Sequence, residues 1–120
     1  MNAKELVSEF YSDENFMVAG TMDRFLHNDL ELQWYSTKGF LRLDKEALIA
    51  LGAELDKSYT ASRINVSHVI AENDMVTVRY THNVNAFENP NEEMVLAHFV
   101  VIWEVKDDKL YRGYLMSQLD

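Results

Sequence analysis

The chain has 120 residues, of which 48% are hydrophobic and 26% charged, a composition typical of one folded soluble domain rather than a disordered segment. Its net charge of −9, with lysines and arginines scattered singly, argues against nucleic acid and anionic membranes as partners. The sequence has no cysteine, which excludes disulfides and thiol catalysis, and it has no apolar run long enough for a signal peptide or a membrane span. We therefore expect a single cytoplasmic domain over residues 1–120.

The first third of the chain predicts two helices followed by a strand. Asn2 can cap the first helix, in which Leu6 and Phe10 lie on one side at helical spacing. A second apolar stripe with the same spacing predicts a helix over residues 16–28. Residues 30–36 then alternate apolar and polar side chains, which indicates a half-buried strand.

The rest of the chain predicts a third helix and an antiparallel meander. A short return strand precedes Asp44, which can cap a helix over residues 45–59. An alternating pattern then predicts four strands joined by short connections, at Ser62–Ala71, Met75–Ala86, Met94–Lys106 and Lys109–Gln118. The predicted fold class is α+β, with three N-terminal helices that cover the apolar face of a strongly curved sheet.

Strand parity separates an inner sheet face, under the helices, from an outer face. The strand that begins at Met75 points Tyr80 and His82 inward. If the next hairpin folds about Pro90, His98 lies directly opposite His82 on the same inner face. The two histidines are then the most prominent polar groups of a mostly apolar interior.

The strand Ser62–Ala71 must share this inner face. Its apolar side, which also holds a histidine, comprises Ile64, Val66, His68 and Ile70. These residues join the inner face if a three-residue loop, 72–74, leads to the next strand. A two-residue turn would need a β-bulge to restore the parity.

The other side of the strand Met94–Lys106 is also apolar. The helices cannot cover both faces, and an apolar patch of this size should not face water, so we expect a C₂ homodimer. The predicted interface comprises Val95, Ala97, Phe99, Val101, Trp103, Arg112, Tyr114 and Met116. If the final turn is not the two residues Asp107 and Asp108, Arg112 and Tyr114 point into the pocket instead.

The order of elements resembles the nuclear transport factor 2-like (cystatin-like) superfamily, in particular its SnoaL-like members. The segments that carry the likeness are "FLHNDLELQW", "GFLRLDKEALIAL", "NDMVTVRYTH" and "HFVVIWEVKDDKLYRGYLMSQ". The resemblance implies a cone-shaped, mostly antiparallel sheet, a deep pocket between sheet and helices, and a dimer. The superfamily includes ketosteroid isomerases, polyketide cyclases, epoxide hydrolases, dehydratases and non-catalytic binding domains. Its catalytic members often carry an Asp within the penultimate strand, where this chain has Val101 or a neighbour.

Four residues are the candidate lining of this pocket: Trp34, Tyr80, His82 and His98. A neutral imidazole near pH 7 suits proton transfer, which makes His82 and His98 candidate catalytic residues. A metal site would need a third ligand, and no carboxylate obviously supplies one, so we predict neither a metal nor a cofactor. Alternatively, both histidines are core residues that bond to the backbone or to Tyr80.

Three functions fit these predictions. The leading hypothesis is a dimeric SnoaL-like domain that binds a small, largely apolar molecule in the pocket. The second is an acid–base enzyme of the ketosteroid isomerase, cyclase or dehydratase kind that uses a pocket histidine. The third is a non-catalytic dimeric interaction domain whose cavity is filled by its own side chains. A continuous cavity well below about 300 Å³ would favour the third.

Overall fold

A computed structural model describes residues 1–120, with Ala19 described by its backbone alone. The helices are α1 Ala3–Phe10, α2 Ala19–Met22 and α3 Lys45–Ser58, and a 3₁₀ turn spans Asp23–Phe25. The strands are β1 Leu26–Ser36, β2 Gly39–Asp44, β3 Tyr59–Glu72, β4 Met75–Ala86, β5 Glu93–Lys106 and β6 Lys109–Leu119. They form one open sheet in the order β2-β1-β6-β5-β4-β3, in which β1 and β6 run parallel and the other neighbours antiparallel. The predicted α+β architecture is confirmed.

Side-chain caps begin two of the helices, as predicted. The Asn2 side chain accepts a hydrogen bond of 2.8 Å from the backbone N–H of Glu5, and Asp44 accepts one of 2.8 Å from that of Ala47. None of the described helices is long and apolar enough to cross a membrane.

The predicted helix over residues 16–28 is wrong. Its helical part is the four-residue α2 and the 3₁₀ turn, and β1 already begins at Leu26. Leu26 pairs with Leu110 of β6 and is almost fully buried there. This long-range pairing overrides the local helical spacing. Residues 13–17, which precede α2, form turns, and Met17 there has a φ of 56°.

The hairpin between β3 and β4 uses the two-residue turn with a bulge. Glu72 pairs with Met75, and Ser67 is the extra residue between Val66 and His68. The bulge reverses the parity, so that Val69 pairs with inward-facing Val78. The sequence-based assignment of His68 and Ile70 to the inner face is therefore wrong, and both are exposed.

The register between β4 and β5 differs by one residue from the prediction. His98 pairs with Thr81, and His82 pairs with Ala97. Asn85 lies opposite Glu93, so the hairpin is centred on Asn89 rather than on Pro90, and the bulge at Leu96 leaves a net shift of one residue in the pairs beyond it. A shift of one residue moves every side chain to the other face. The predicted His82–His98 pair is wrong for this reason.

The shift turns inward the side of β5 that was predicted to lie in the dimer interface. Phe99, Val101 and Trp103 pack in the core, and His98, Val100 and Ile102 lie on the outer face. On β6, Gly113 lies opposite Trp103. A Cβ atom on Gly113 would be 2.6 Å from Leu32 Cδ1 and 2.7 Å from Trp103 Cζ3, so the glycine leaves the space that the indole ring occupies.

Candidate functional site

The four candidate pocket residues do not meet around one space. Tyr80 and His82 are buried on the inner face. Trp34 is half-buried, and its Nε1 donates a hydrogen bond of 2.7 Å to Ser117 Oγ. His98 lies on the outer face, where its Nε2 is 2.9 Å from Asp120 Oδ1. His82 and His98 therefore cannot act together as an acid–base pair.

Aromatic side chains fill the space where the sequence predicts a pocket. The Tyr80 ring stacks on Phe99 at 4.8 Å between centroids, and the rings of Tyr11 and Phe16 lie 4.8 and 5.6 Å from it. The remaining cavity is about 20 Å³. That volume is close to what one water molecule needs and far below that of an ordinary ligand site.

Buried hydroxyl groups hold this aromatic interior together. Trp103 Nε1 donates a hydrogen bond of 2.7 Å to the Tyr11 hydroxyl. Burial raises the pKa of Tyr11, and burial together with the neighbouring Tyr11 raises the pKa of Tyr80 well above its usual value. Both phenols therefore stay neutral near pH 7 and act as structural hydrogen-bonding groups.

A second space, which we call the recess, opens to the surface of the protein. It has a volume of about 170 Å³ and lies between α3, the start of β3 and the turns before α2. Its lining comprises Asp13, Phe16, Met17, Val18, Leu55, Asp56, Tyr59, Thr60, Ala61 and Ser62. Phe16 and Met17 also line the 20 Å³ cavity, so these two side chains separate the recess from the interior.

A serine and a histidine meet at the edge of the recess. Ser62 Oγ makes a short hydrogen bond with His82 Nε2. Ser62 is exposed, whereas His82 is 2% exposed and packs against the rings of Phe16 and Phe99. Burial lowers the pKa of His82 below the ordinary histidine value of 6.5, so the imidazole is neutral near pH 7. A neutral imidazole can accept the serine proton.

Neither Ser62 nor the role of Phe16 was predicted from the sequence. Ser62 lies two residues before Ile64 on β3, and the alternation of the strand was enough to place the two side chains on one face. Phe16 was assigned to a helix that does not form, so its position over His82 had no signal in the local pattern.

The predicted dimer residues divide between the two faces. Val95, Ala97, Phe99, Val101 and Trp103 were predicted in the interface, but Ala97, Val101 and Trp103 are buried within one subunit, and Val95 and Phe99 are half-buried. The two-residue turn at Asp107 and Asp108 forms as predicted, and a bulge at Tyr111 then places Arg112, Tyr114 and Met116 on the outer face.

An exposed apolar surface, which we call the outer patch, crosses the outer face. It comprises Tyr35, Phe40, Val100, Ile102, Tyr114 and Met116, whose residues are 40–67% exposed. Strand pairing makes the patch continuous over four strands, because Tyr35 pairs with Phe40 and Met116, and Met116 pairs with Val100. The sequence-based prediction located an apolar outer face but assigned it the wrong β5 residues.

No group of three or more His, Asp or Glu side chains in the described part of the chain is arranged to hold a metal ion. The inner side of β5 carries Ala97, Phe99, Val101 and Trp103. Its described residues thus offer no carboxylate at the place where the resemblance implies a catalytic Asp.

Comparison with known proteins identifies the architecture. No protein-family model matches the chain, and no curated protein matches it in sequence. Among solved structures, IdmH of Streptomyces antibioticus, a proposed polyketide cyclase, matches with a TM-score of 0.78 and 12% identity over 98% of this chain and 92% of its own. The chain has the nuclear transport factor 2-like fold.

Two further neighbours with this fold have different named activities. AclR of Streptomyces galilaeus, a proposed hydroxylase, matches with a TM-score of 0.77 and 16% identity over 98% of this chain and 79% of its own. An LEH-like epoxide hydrolase of M. tuberculosis matches with a TM-score of 0.70 and 16% identity over 98% of this chain and 82% of its own. At these identities, the nuclear transport factor 2-like fold is shared, and the activity has to be argued from the residues of this chain.

Proposed function

We propose that this nuclear transport factor 2-like chain is an interaction domain that pairs with a second copy of itself through the outer patch. The observation that carries the proposal is the row of six exposed apolar side chains across the centre of the outer face. A continuous apolar surface of this kind is typical of a protein interface. A C₂ dimer would place each patch against its own equivalent.

The charges around the outer patch support self-association. Arg42, Arg79 and Arg112 lie near it, together with Glu31 and Glu104. Arg42 Nε is 2.8 Å from Glu31 Oε1, and Arg112 pairs in register with Glu104. The patch is thus nearly balanced in charge, although the chain carries −9. Two copies can therefore meet here with less repulsion than at their acidic surfaces.

The filled interior also supports an interaction domain. The cavity between the aromatic rings of the interior is about 20 Å³, whereas ligand pockets usually measure about 300 Å³ or more. The residues that would line such a pocket, Tyr11, Phe16, Tyr80 and Phe99, pack against one another instead. A larger space of about 380 Å³ lies outside the rings, as a groove between α1 and β3 lined by Ile64, Val66 and Val69 among others.

A charge introduced into the outer patch tests the proposed pairing. Met116 is 67% exposed, so Met116→Glu should leave the monomer folded but bury a carboxylate in the interface. We expect the dimer dissociation constant to rise about a hundredfold, as measured by sedimentation velocity. Phe87→Glu is the matched control, because Phe87 is 59% exposed in the loop between β4 and β5. Unchanged association of Met116→Glu would contradict the proposal.

The recess supports a second function, the binding of a small, mainly apolar molecule. Apolar and polar residues both line its 170 Å³, and Ser62 on this lining is bonded to His82. This volume is below that of an ordinary ligand site, about 300 Å³, so a ligand would need more space. Movement of Phe16 and Met17 would join the recess to the interior. The names of the polyketide cyclase and epoxide hydrolase neighbours point in the same direction, because polyketides and epoxides are small organic molecules.

Indole is a suitable probe for the recess, because it is apolar, flat and small. We expect it to shift the methyl NMR signals of Leu55 and Ala61, which line the recess. Phe16→Ala should strengthen binding about tenfold, because it enlarges the space, whereas Phe87→Ala removes an exposed ring elsewhere and should change nothing. Shifts that do not concentrate at the recess, or equal affinities of the two variants, would exclude it as the binding site.

A further inference from the structure

The Ser62–His82 contact joins a nucleophile to a base at an accessible place. Ser62 is exposed and lines the recess, and its Oγ is hydrogen-bonded to His82 Nε2. His82 is buried behind it, held between Phe16 and Phe99. A serine hydroxyl is a weak nucleophile alone, and an adjacent imidazole that can take its proton is the usual means of activation.

We infer that Ser62 is a nucleophile, with His82 as its general base, and that the recess hydrolyses small apolar esters. The inference rests on the recess as a ligand site and goes beyond binding. The lining of the recess favours this substrate class. Leu55, Tyr59 and Ala61 offer an apolar surface to a short acyl or alkyl group. Asp13 and Asp56 on the same lining disfavour anionic substrates, which leaves neutral esters.

The reaction balances without a cofactor. Ser62 Oγ attacks the ester carbonyl carbon while its proton passes to His82 Nε2, and a tetrahedral oxyanion forms. When the carbonyl re-forms, the bond to the leaving alkoxide breaks, and His82 returns the proton to give the free alcohol. Water then attacks the acyl group on Ser62 by the same route, releasing the carboxylic acid and restoring the serine hydroxyl.

The surroundings of His82 determine the pH dependence. Asp13 and Asp56 line the recess from the loop and from α3, and the Asp13 carboxylate accepts a hydrogen bond of 2.9 Å from the backbone N–H of Ile64. Arg63 is bound to Glu93 and Asn85. Burial lowers the pKa of His82, so its base form persists below the ordinary value of 6.5. We therefore expect the rate to rise with pH and to level off below pH 6.5.

The decisive experiment uses p-nitrophenyl acetate with the full-length protein. We expect a burst of nitrophenol and an acetyl group on Ser62, located by mass spectrometry of peptides. Ser62→Ala should abolish the acetylation, and His82→Gln should slow it about a hundredfold. Ser58→Ala is the matched control, because the Ser58 hydroxyl only bonds the Glu54 carbonyl at the end of α3. Acetylation at other sites only, or an undiminished burst in Ser62→Ala, would overturn the inference.

A second measurement separates nucleophile activation from ligand binding. The chain has no cysteine, so Ser62→Cys and Ser58→Cys each introduce one thiol. If His82 acts as a base toward position 62, iodoacetamide should alkylate that thiol at pH 7 about tenfold faster than the thiol at position 58. The difference should disappear when His82→Gln is added. Equal alkylation rates in the two single variants would overturn the inference, even if indole binds in the recess. Failure of indole to bind, by itself, would contradict only the recess as a ligand site.

Discussion

At the residue scale, His82 shows how burial sets chemical state. Its imidazole is 2% exposed and bonded to Ser62, and the resulting desolvation lowers its pKa. The sequence indicated an inward-facing histidine on β4, and the structure places it there. Its partner Ser62 was missed, although the alternation of β3 places Ser62 on the same face as Ile64, which pairs with His82.

The lowered pKa makes folding stability depend on pH at this residue. Below pH 6.5, the unfolded chain binds a proton at His82 that the folded chain resists, so the unfolded state binds more protons. The free energy of unfolding should therefore decrease as pH falls from 6.5 toward the lower pKa of the folded state. Urea titrations at pH 7.5 and 5.5 measure this change. His82→Gln should show a smaller decrease, and an equal decrease in both proteins would contradict a buried neutral His82.

At the element scale, the positions of strands were easier to predict than their register. The prediction for β4, Met75–Ala86, matches the structure at both ends, and the β5–β6 turn at Asp107 and Asp108 forms with φ of 54° and 57°. Both sides of β5 are apolar, so the alternation pattern could not decide which side faces the helices. The bulge at Leu96 decided it. The helix predicted over residues 16–28 was too long, because the pairing of Leu26 with β6 outweighs local helical spacing.

Gly113 on β6 gives a direct test of the β5 register. With Trp103 turned inward, the methyl group of Gly113→Ala would press on the indole ring and on Leu32, and we expect a loss of about 1–3 kcal/mol in unfolding free energy. Gly20→Ala in α2 is the matched control. A Cβ there meets no atom within 4 Å, so that variant should be neutral or slightly stabilising. Chemical denaturation measures both variants. If Gly113→Ala is as stable as Gly20→Ala, Trp103 does not lie against β6.

At the scale of the whole molecule, one face of the sheet is covered by helices and the other is open. The inner face is filled by aromatic side chains, and the outer face shows Val100, Ile102, Tyr114 and Met116 to solvent. The sequence pattern predicted that the helices leave one face of the sheet uncovered, because β5 is apolar on both sides. The filled interior was not, since it depends on Phe16 reaching over Tyr80 from a turn.

The central claim is that the outer patch pairs two copies of the chain. Static light scattering on the wild-type protein at micromolar concentration tests it most directly, since the chain mass is 14.0 kDa. We predict a molar mass of twice that value, falling toward the chain mass on dilution only if the dimer is weak. A mass of 14.0 kDa at every concentration up to about 100 μM would contradict the account.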